Sequence, residues 1–153
     1  MPKVVRNLFI PHTPEQVWAI GGDFSRYPEW NQTHQAFPDG PPKLEEGTQF
    51  RERVTILGMP GEVNWTITEV VQQTRFAIKG EGPMGIKLGA VLELTPEGEG
   101  TRGAMEASFE GGPLMGPMGD AVGKATEKAT DESLEKLRAL VEESAAVPES
   151  AQS

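Results

Sequence analysis

Ile10-Pro11-His12-Thr13-Pro14-Glu15-Gln16-Val17-Trp18, followed after four residues by Asp23-Phe24-Ser25-Arg26-Tyr27-Pro28-Glu29-Trp30-Asn31, decides how the chain folds. Thr13 can cap a helix, Pro14 fits its first position, where no N–H is needed, and Gln16 can reach back to close a capping box. Val17, Ile20, Gly21 and Phe24 then recur at helical spacing with Trp18 beside them, and Gly21-Gly22 stops the helix. Asp23 or Ser25 caps a second short turn running to about Trp30. Ahead of this stretch, Lys3 to Ile10 is short, β-branched and apolar at one end, and reads as a strand. The chain therefore opens with a strand and two short helices.

From residue 33 the hydrophobic period becomes two, the period of a half-buried strand. Thr33 to Pro38 reads as a short strand before the loop Asp39-Gly40-Pro41-Pro42. Thr48 to Leu57 sets Phe50, Glu52, Val54 and Ile56 against Gln49, Arg51, Arg53 and Thr55. Gly58-Met59-Pro60-Gly61 reads as a hairpin turn, after which Glu62 to Val71 carries Val63, Trp65 and Ile67 on one face. Thr74 to Gly80 carries Phe76 and Ile78. Ile86 to Thr95 carries Leu88, Ala90, Leu92 and Leu94, Pro96 to Gly100 turns, and Thr101 to Glu110 carries Met105, Ala107 and Phe109.

Six such strands on short links make an antiparallel meander with one apolar and one charged face. The apolar face must be covered. Leu114, Met118, Val122, Ala125 and Ala129, then Leu134, Leu137 and Val141, recur mostly at three or four residues with charges between them. That is a long amphipathic helix able to cover the sheet. The expected class is α+β with a helix-grip fold. A curved antiparallel β-sheet wraps around a long C-terminal helix, with two short helices after strand 1. One domain spans residues 1–143, and 144–153, small and polar, reads as a disordered C-terminal tail.

The 153 residues suit one domain. The 18 glycines and 13 prolines mark turns rather than disorder, because strongly periodic segments lie between them. The absence of cysteine excludes a disulfide scaffold, a thiolate metal site and a cysteine nucleophile. Fourteen basic against 23 acidic residues, a net charge of −9, argue against a nucleic-acid partner, which calls for a basic stripe. No segment approaches the roughly 20 apolar residues of a membrane span, so no integral membrane contact is expected. The N-terminus reads as the start of the fold rather than a signal peptide, and a cytoplasmic location is expected. A homodimer is compatible with the sequence.

The two quoted stretches resemble the START-like superfamily that includes the polyketide cyclase/dehydrase and lipid-transport proteins, often labelled SRPBCC. In that group a strand ends in I-x-A-x-P-E-x-V-W and continues to D-x-x-x-Y-P-x-W-x-P. Here His12 and Thr13 occupy the alanine region, and Gln32 stands where proline is frequent. The motif covers about 22 residues, while the element order agrees from Lys3 to about Glu143. The resemblance implies a cavity between sheet and helix that holds a hydrophobic small molecule, with no cofactor. Phe50, Val54, Trp65, Phe76, Ile78, Leu88, Leu92, Met105, Phe109, Met118 and Val122 would form its wall. Met84, Leu114 and Met115 would stand at its entrance, and Trp30 either closes one end or, the favoured reading, packs in the core. The function expected on this ground is that of a carrier or sensor; the alternative is a polyketide cyclase or aromatase using the same cavity.

Few residues offer chemistry. Glu52 falls between Phe50 and Val54 on the apolar face, where a carboxylate is costly unless it is paired, hydrated or functional. It is the candidate acid/base, and His34 is a second. A bulge that turns Glu52 to solvent, or a packing role for His34, would be the plain alternatives. Two distant histidines without cysteine make a zinc site improbable, so no metal is expected. Tyr27, the only tyrosine, could bring its hydroxyl to a ligand, but its place in the motif points to a structural turn. Gly80-Glu81-Gly82-Pro83-Met84-Gly85 matches a dinucleotide fingerprint formally, but it joins two strands and so lacks the helix N-terminus that holds pyrophosphate.

Overall fold

The structure, a computed structural model, describes residues 3–56, 58–114 and 116–146. In chain order it contains β1 (Lys3–Ile10), α1 (Pro14–Gly21), α2 (Tyr27–Trp30), β2 (His34–Ala36), β3 (Gln49–Ile56), β4 (Met59–Val71), β5 (Arg75–Glu81), β6 (Lys87–Glu97), β7 (Gly100–Glu110) and α3 (Pro117–Ala146). The opening stretch forms as its residues dictate. Thr13 Oγ1 accepts from the Gln16 N–H at 3.2 Å, and Gln16 Oε1 accepts from the Thr13 N–H at 2.9 Å. The Asp23 carboxylate accepts from the Ser25 N–H at 3.0 Å and caps a turn of 3-10 helix over Phe24–Arg26 that leads into α2.

The seven strands form one sheet in the order β1-β7-β6-β5-β4-β3-β2, and every neighbouring pair is antiparallel. The meander thus runs from β2 to β7, and β1 returns to close beside the last strand. The sheet curls into a half-barrel around α3, the expected helix-grip arrangement. A bulge between Ile67 and Glu69 on β4 helps the curl, since an extra residue bends a strand and raises its twist.

Two hairpins are tighter than the sequence suggests. Ile56 pairs with Met59 and Glu97 with Gly100, so Pro60 and Pro96 lie in strand ends instead of turns. Gly58 makes the first possible, because its φ of +73° is the left-handed conformation that a two-residue loop demands.

α3 lies against β1, α1 and α2, with Val122, Leu134, Leu137 and Val141 buried. Arg6 on β1 grips Asp131 on α3 through two hydrogen bonds of 2.9 and 2.8 Å. Ser133 Oγ accepts from the Gln32 N–H at 3.0 Å and donates to the Ala129 carbonyl at 2.7 Å, tying α3 to the segment after α2. The helix continues to Ala146, three residues into the stretch expected to be tail, and 147–153 lie outside the described residues. No described helix is long and apolar enough to cross a membrane.

Candidate functional site

A cavity of about 400 Å³ opens between the concave face of the sheet and the first turns of α3. That is within the size range of small-molecule sites. Val54, Trp65, Ile78, Leu88, Met105, Phe109 and Val122 line it, in agreement with the alternation of the strands and the stripe of the helix. Its mouth is marked by three methionines that both line the cavity and reach solvent. Met59 starts β4 and is 52% exposed, Met84 in the β5–β6 link is 75% exposed, and Met118 in the first turn of α3 is 44% exposed. Leu114, expected beside them, is buried in the lining, and Met115 lies outside the described residues. A larger groove along β1 and α3 is open to solvent and edged by charges of both signs, including Lys3, Asp120, Lys124 and Glu127.

The structure places Phe50, Phe76, Leu92 and Trp30 in the packed core and not along the cavity. Aromatic rings account for Phe50 and Phe76. Phe24, delivered by the turn before α2, lies 5.5 Å from Phe50 and 5.4 Å from Phe76 between ring centroids, and Phe37 closes on Phe50 at 5.9 Å. That end of the curled sheet is filled by side chains, and the open space is displaced toward the β3–β4 hairpin and α3.

Glu52 and His34, expected as separate candidates, come together. Glu52 Oε2 lies 2.6 Å from His34 Nδ1, and Glu52 Oε1 accepts from the Trp65 indole N–H at 2.9 Å. Their side chains are 5% and 1% exposed. Glu52 neither turns to solvent nor stands unpaired; both oxygens are held, and it still lines the cavity. His34 stands behind it, flanked by Phe37 at 4.4 Å and Tyr27 at 5.6 Å between ring centroids. The histidine therefore orients the carboxylate and does not itself line the cavity.

Three further polar residues share this part of the lining: Tyr27, Asn31 and Thr33. Burial pushes the Tyr27 phenol well above its ordinary range, and the charge of Glu52 pushes it further, so the hydroxyl stays protonated. Asn31 Oδ1 accepts from the Thr33 N–H at 3.1 Å and from Thr33 Oγ1 at 3.0 Å. In the sequence Tyr27 reads as a turn residue whose hydroxyl could reach a ligand, and nothing singles out Asn31 or Thr33 as polar groups of a site. Their only signal is position, at the end of the short helices that precede β2.

Gly80, which belongs to the false dinucleotide fingerprint, has a packing role at this site. It pairs with Trp65 across β4 and β5. A Cβ on it would stand 2.7 Å from Trp65 Cε3 and 2.8 Å from Val63 Cγ1. The indole can lie over β5 and reach Glu52 only because nothing projects there. Among the described residues no group of three or more His, Cys, Asp or Glu gathers to hold a metal ion.

Comparison with known proteins agrees with this geometry. Residues 1–142 match the family described as polyketide cyclase / dehydrase and lipid transport. Toxin Rv0910 of Mycobacterium tuberculosis (strain ATCC 25618 / H37Rv) is 29% identical over 136 residues, which cover 88% of this chain and 94% of that protein. Two solved structures share the fold. TTHA0849 from Thermus thermophilus has a TM-score of 0.74 at 22% identity, covering 95% of this chain and 100% of the other. A START superfamily protein from Mycobacterium smegmatis has a TM-score of 0.70 at 22% identity, covering 92% and 97%. The fold is one that binds hydrophobic ligands. The chain belongs to the polyketide cyclase / dehydrase and lipid transport family.

Proposed function

We propose that this protein holds an apolar small molecule in the cavity between its curled sheet and α3, as a carrier or sensor. The observation that carries this reading is a space of about 400 Å³ with mostly apolar walls and a methionine-lined mouth. Methionine adapts its shape cheaply, which suits the entry of ligands of varied outline. Native mass spectrometry of the purified protein tests it. A co-purified apolar molecule, lost when the cavity is filled by substitution, is the expected result. Failure to retain or bind any member of a lipid and polyphenol panel would sink the reading.

A second reading, polyketide cyclisation, is favoured by the buried Glu52–His34 contact. Cyclisation needs mainly orientation with modest acid–base help. Glu52 would move a proton at the bound chain, and His34 would position its carboxylate. A poly-β-keto thioester mimic incubated with wild-type protein and with Glu52→Gln tests this. Equal product from both would remove Glu52 from catalysis. The name of the mycobacterial relative states no ligand, and a shared fold does not transfer an activity. Growth of a host expressing this chain is the direct check on whether it is toxic.

A further inference from the structure

The hydrogen bonds around Glu52 restrict the chemistry of the ligand, an inference that rests on the cavity being the ligand site. The Trp65 indole nitrogen can only donate, so Glu52 Oε1 accepts in every protonation state. The other oxygen faces His34 Nδ1 at 2.6 Å. For a pair that shares one proton, Oε2 accepts when Nδ1 carries it, and when the carboxyl carries it the proton lies on Oε2 and points at the imidazole. In neither case does a proton remain to face the cavity. What Glu52 offers inward is lone pairs, and a carboxylate has about four such sites, of which the two partners use two.

The rest of the lining reinforces this polarity. No Lys, Arg or His is among the described residues that line the cavity. Its other carboxylate, Glu106, is bound to Lys3 at 2.7 Å and needs no ligand to balance it. An anionic head would therefore meet the lone pairs of Glu52 with no Lys, Arg or His in the described lining to offset them, in a low-dielectric site where such repulsion is weakly screened. Beside Glu52 stand groups of the opposite kind. The Tyr27 hydroxyl keeps its proton, and the Asn31 carbonyl oxygen is engaged by Thr33 while its NH2 group is hydrogen-bonded to the Tyr27 oxygen, which leaves the Tyr27 O–H free to donate and one Asn31 N–H beside it. An acceptor next to donors is the complement of a hydroxyl, which gives one hydrogen bond and takes another.

We propose that the cavity selects apolar molecules carrying a hydroxyl, seated with its O–H on Glu52, and excludes carboxylates and phosphates of the same skeleton. The recognised group is the hydroxyl of an alcohol, phenol or enol.

Calorimetric titration of the full chain with dodecanol, dodecyl methyl ether and dodecanoate, each kept monomeric, tests the proposal. The alcohol should bind roughly tenfold or more tightly than the other two, since an ether cannot donate and a carboxylate is repelled. In Glu52→Gln the amide oxygen must still take the Trp65 N–H. The amide nitrogen then turns to His34 and directs its second hydrogen into the cavity. The preference for the alcohol over the ether should collapse. Equal affinities in the wild-type protein, or a preference for dodecanoate, would overturn the proposal and leave the cavity reading standing. An unchanged preference in Glu52→Gln would overturn Glu52 as the anchor. Absence of binding by all three would overturn the selection of a hydroxyl, and the lipid and polyphenol panel then decides the cavity reading by itself. Circular dichroism verifies that the variant folds, and if it does not, the wild-type series decides alone.

Discussion

His34 Nδ1 and Glu52 Oε2 stand 2.6 Å apart, each side chain almost fully removed from water. His34 pairs directly with Val54 across β2 and β3, and Glu52 lies two residues further along the same face. The two side chains therefore meet diagonally, within the reach of long side chains on neighbouring strands. A buried carboxylate is tolerated when its lone pairs are occupied, and here the histidine and the indole of Trp65 occupy one on each oxygen.

Removing one partner should cost more than removing both in proportion. His34→Ala leaves Glu52 Oε2 buried without its partner, at about 1–3 kcal/mol of stability. Glu52→Gln alters the same bond from the other side. In urea unfolding of the two single variants and the double variant, the double should lose less than the sum, with a coupling on the order of 1 kcal/mol or more. Strict additivity would mean that the short contact contributes nothing of its own.

Gly80→Ala should destabilise the protein and disturb the tryptophan environment. The added methyl group would lie 2.7 Å from Trp65 Cε3 and 2.9 Å from the Asn64 carbonyl oxygen, and the latter is backbone that cannot swing away. Overpacking of this kind typically costs about 1–3 kcal/mol. A lowered urea midpoint with a shifted tryptophan emission is the expected pair of readouts. An unchanged midpoint would count against the packing role given to this glycine.

Ala107→Leu should separate cavity from core. Ala107 lines the cavity on β7 between Met105 and Phe109, where a larger side chain can grow into open space. Stability should stay within about 1 kcal/mol of wild type, unlike the cost of enlarging a residue in a filled core. Ligand retention in native mass spectrometry should fall sharply. Retention equal to wild type would place the ligand elsewhere.

Tyr27 predicts a loss of stability in alkali. Its ordinary value is 10.0, and burial raises it in the folded protein, with Glu52 adding to the effect. The folded state thus keeps a proton that the unfolded chain releases, so stability is full below pH 10 and falls as pH rises above it. Because Tyr27 is the only tyrosine, tyrosinate absorbance reports this group alone. It should appear together with loss of the folded circular dichroism signal. In Tyr27→Phe the alkaline midpoint of unfolding should move upward. Ionisation of Tyr27 in the still-folded protein, at its ordinary value, would refute the argument.

Much of the architecture lies in local patterns that the sequence carries openly. Thr13, Pro14 and Gln16 specify a helix start by their own hydrogen-bonding capacity, and that cap forms. The alternation through Phe50, Glu52 and Val54 assigns a face, and all three are buried. Leu134, Leu137 and Val141 assign the stripe of α3 in the same way, and all three are buried too. These determinations are local because backbone periodicity alone sets which side of an element a residue occupies. The extent of the hairpin strands is less legible, since Pro60 and Pro96 look like turn residues until pairing draws them into strand ends.

Only the tertiary structure decided where along the apolar face there is space. Phe50 and Val54 share one face of one strand, yet Phe50 is packed among the rings of Phe24 and Phe37 while Val54 borders the cavity. Periodicity names a face but carries no information about what is brought against it by a distant segment. The same limit hid the partners of Glu52. His34 is 18 residues away and Trp65 is 13, and they reach it only when β2 and β4 pair on either side of β3. The chemical capacity of each side chain is readable in the sequence, but the curvature and strand register that bring His34, Glu52 and Trp65 to one point belong to the assembled sheet.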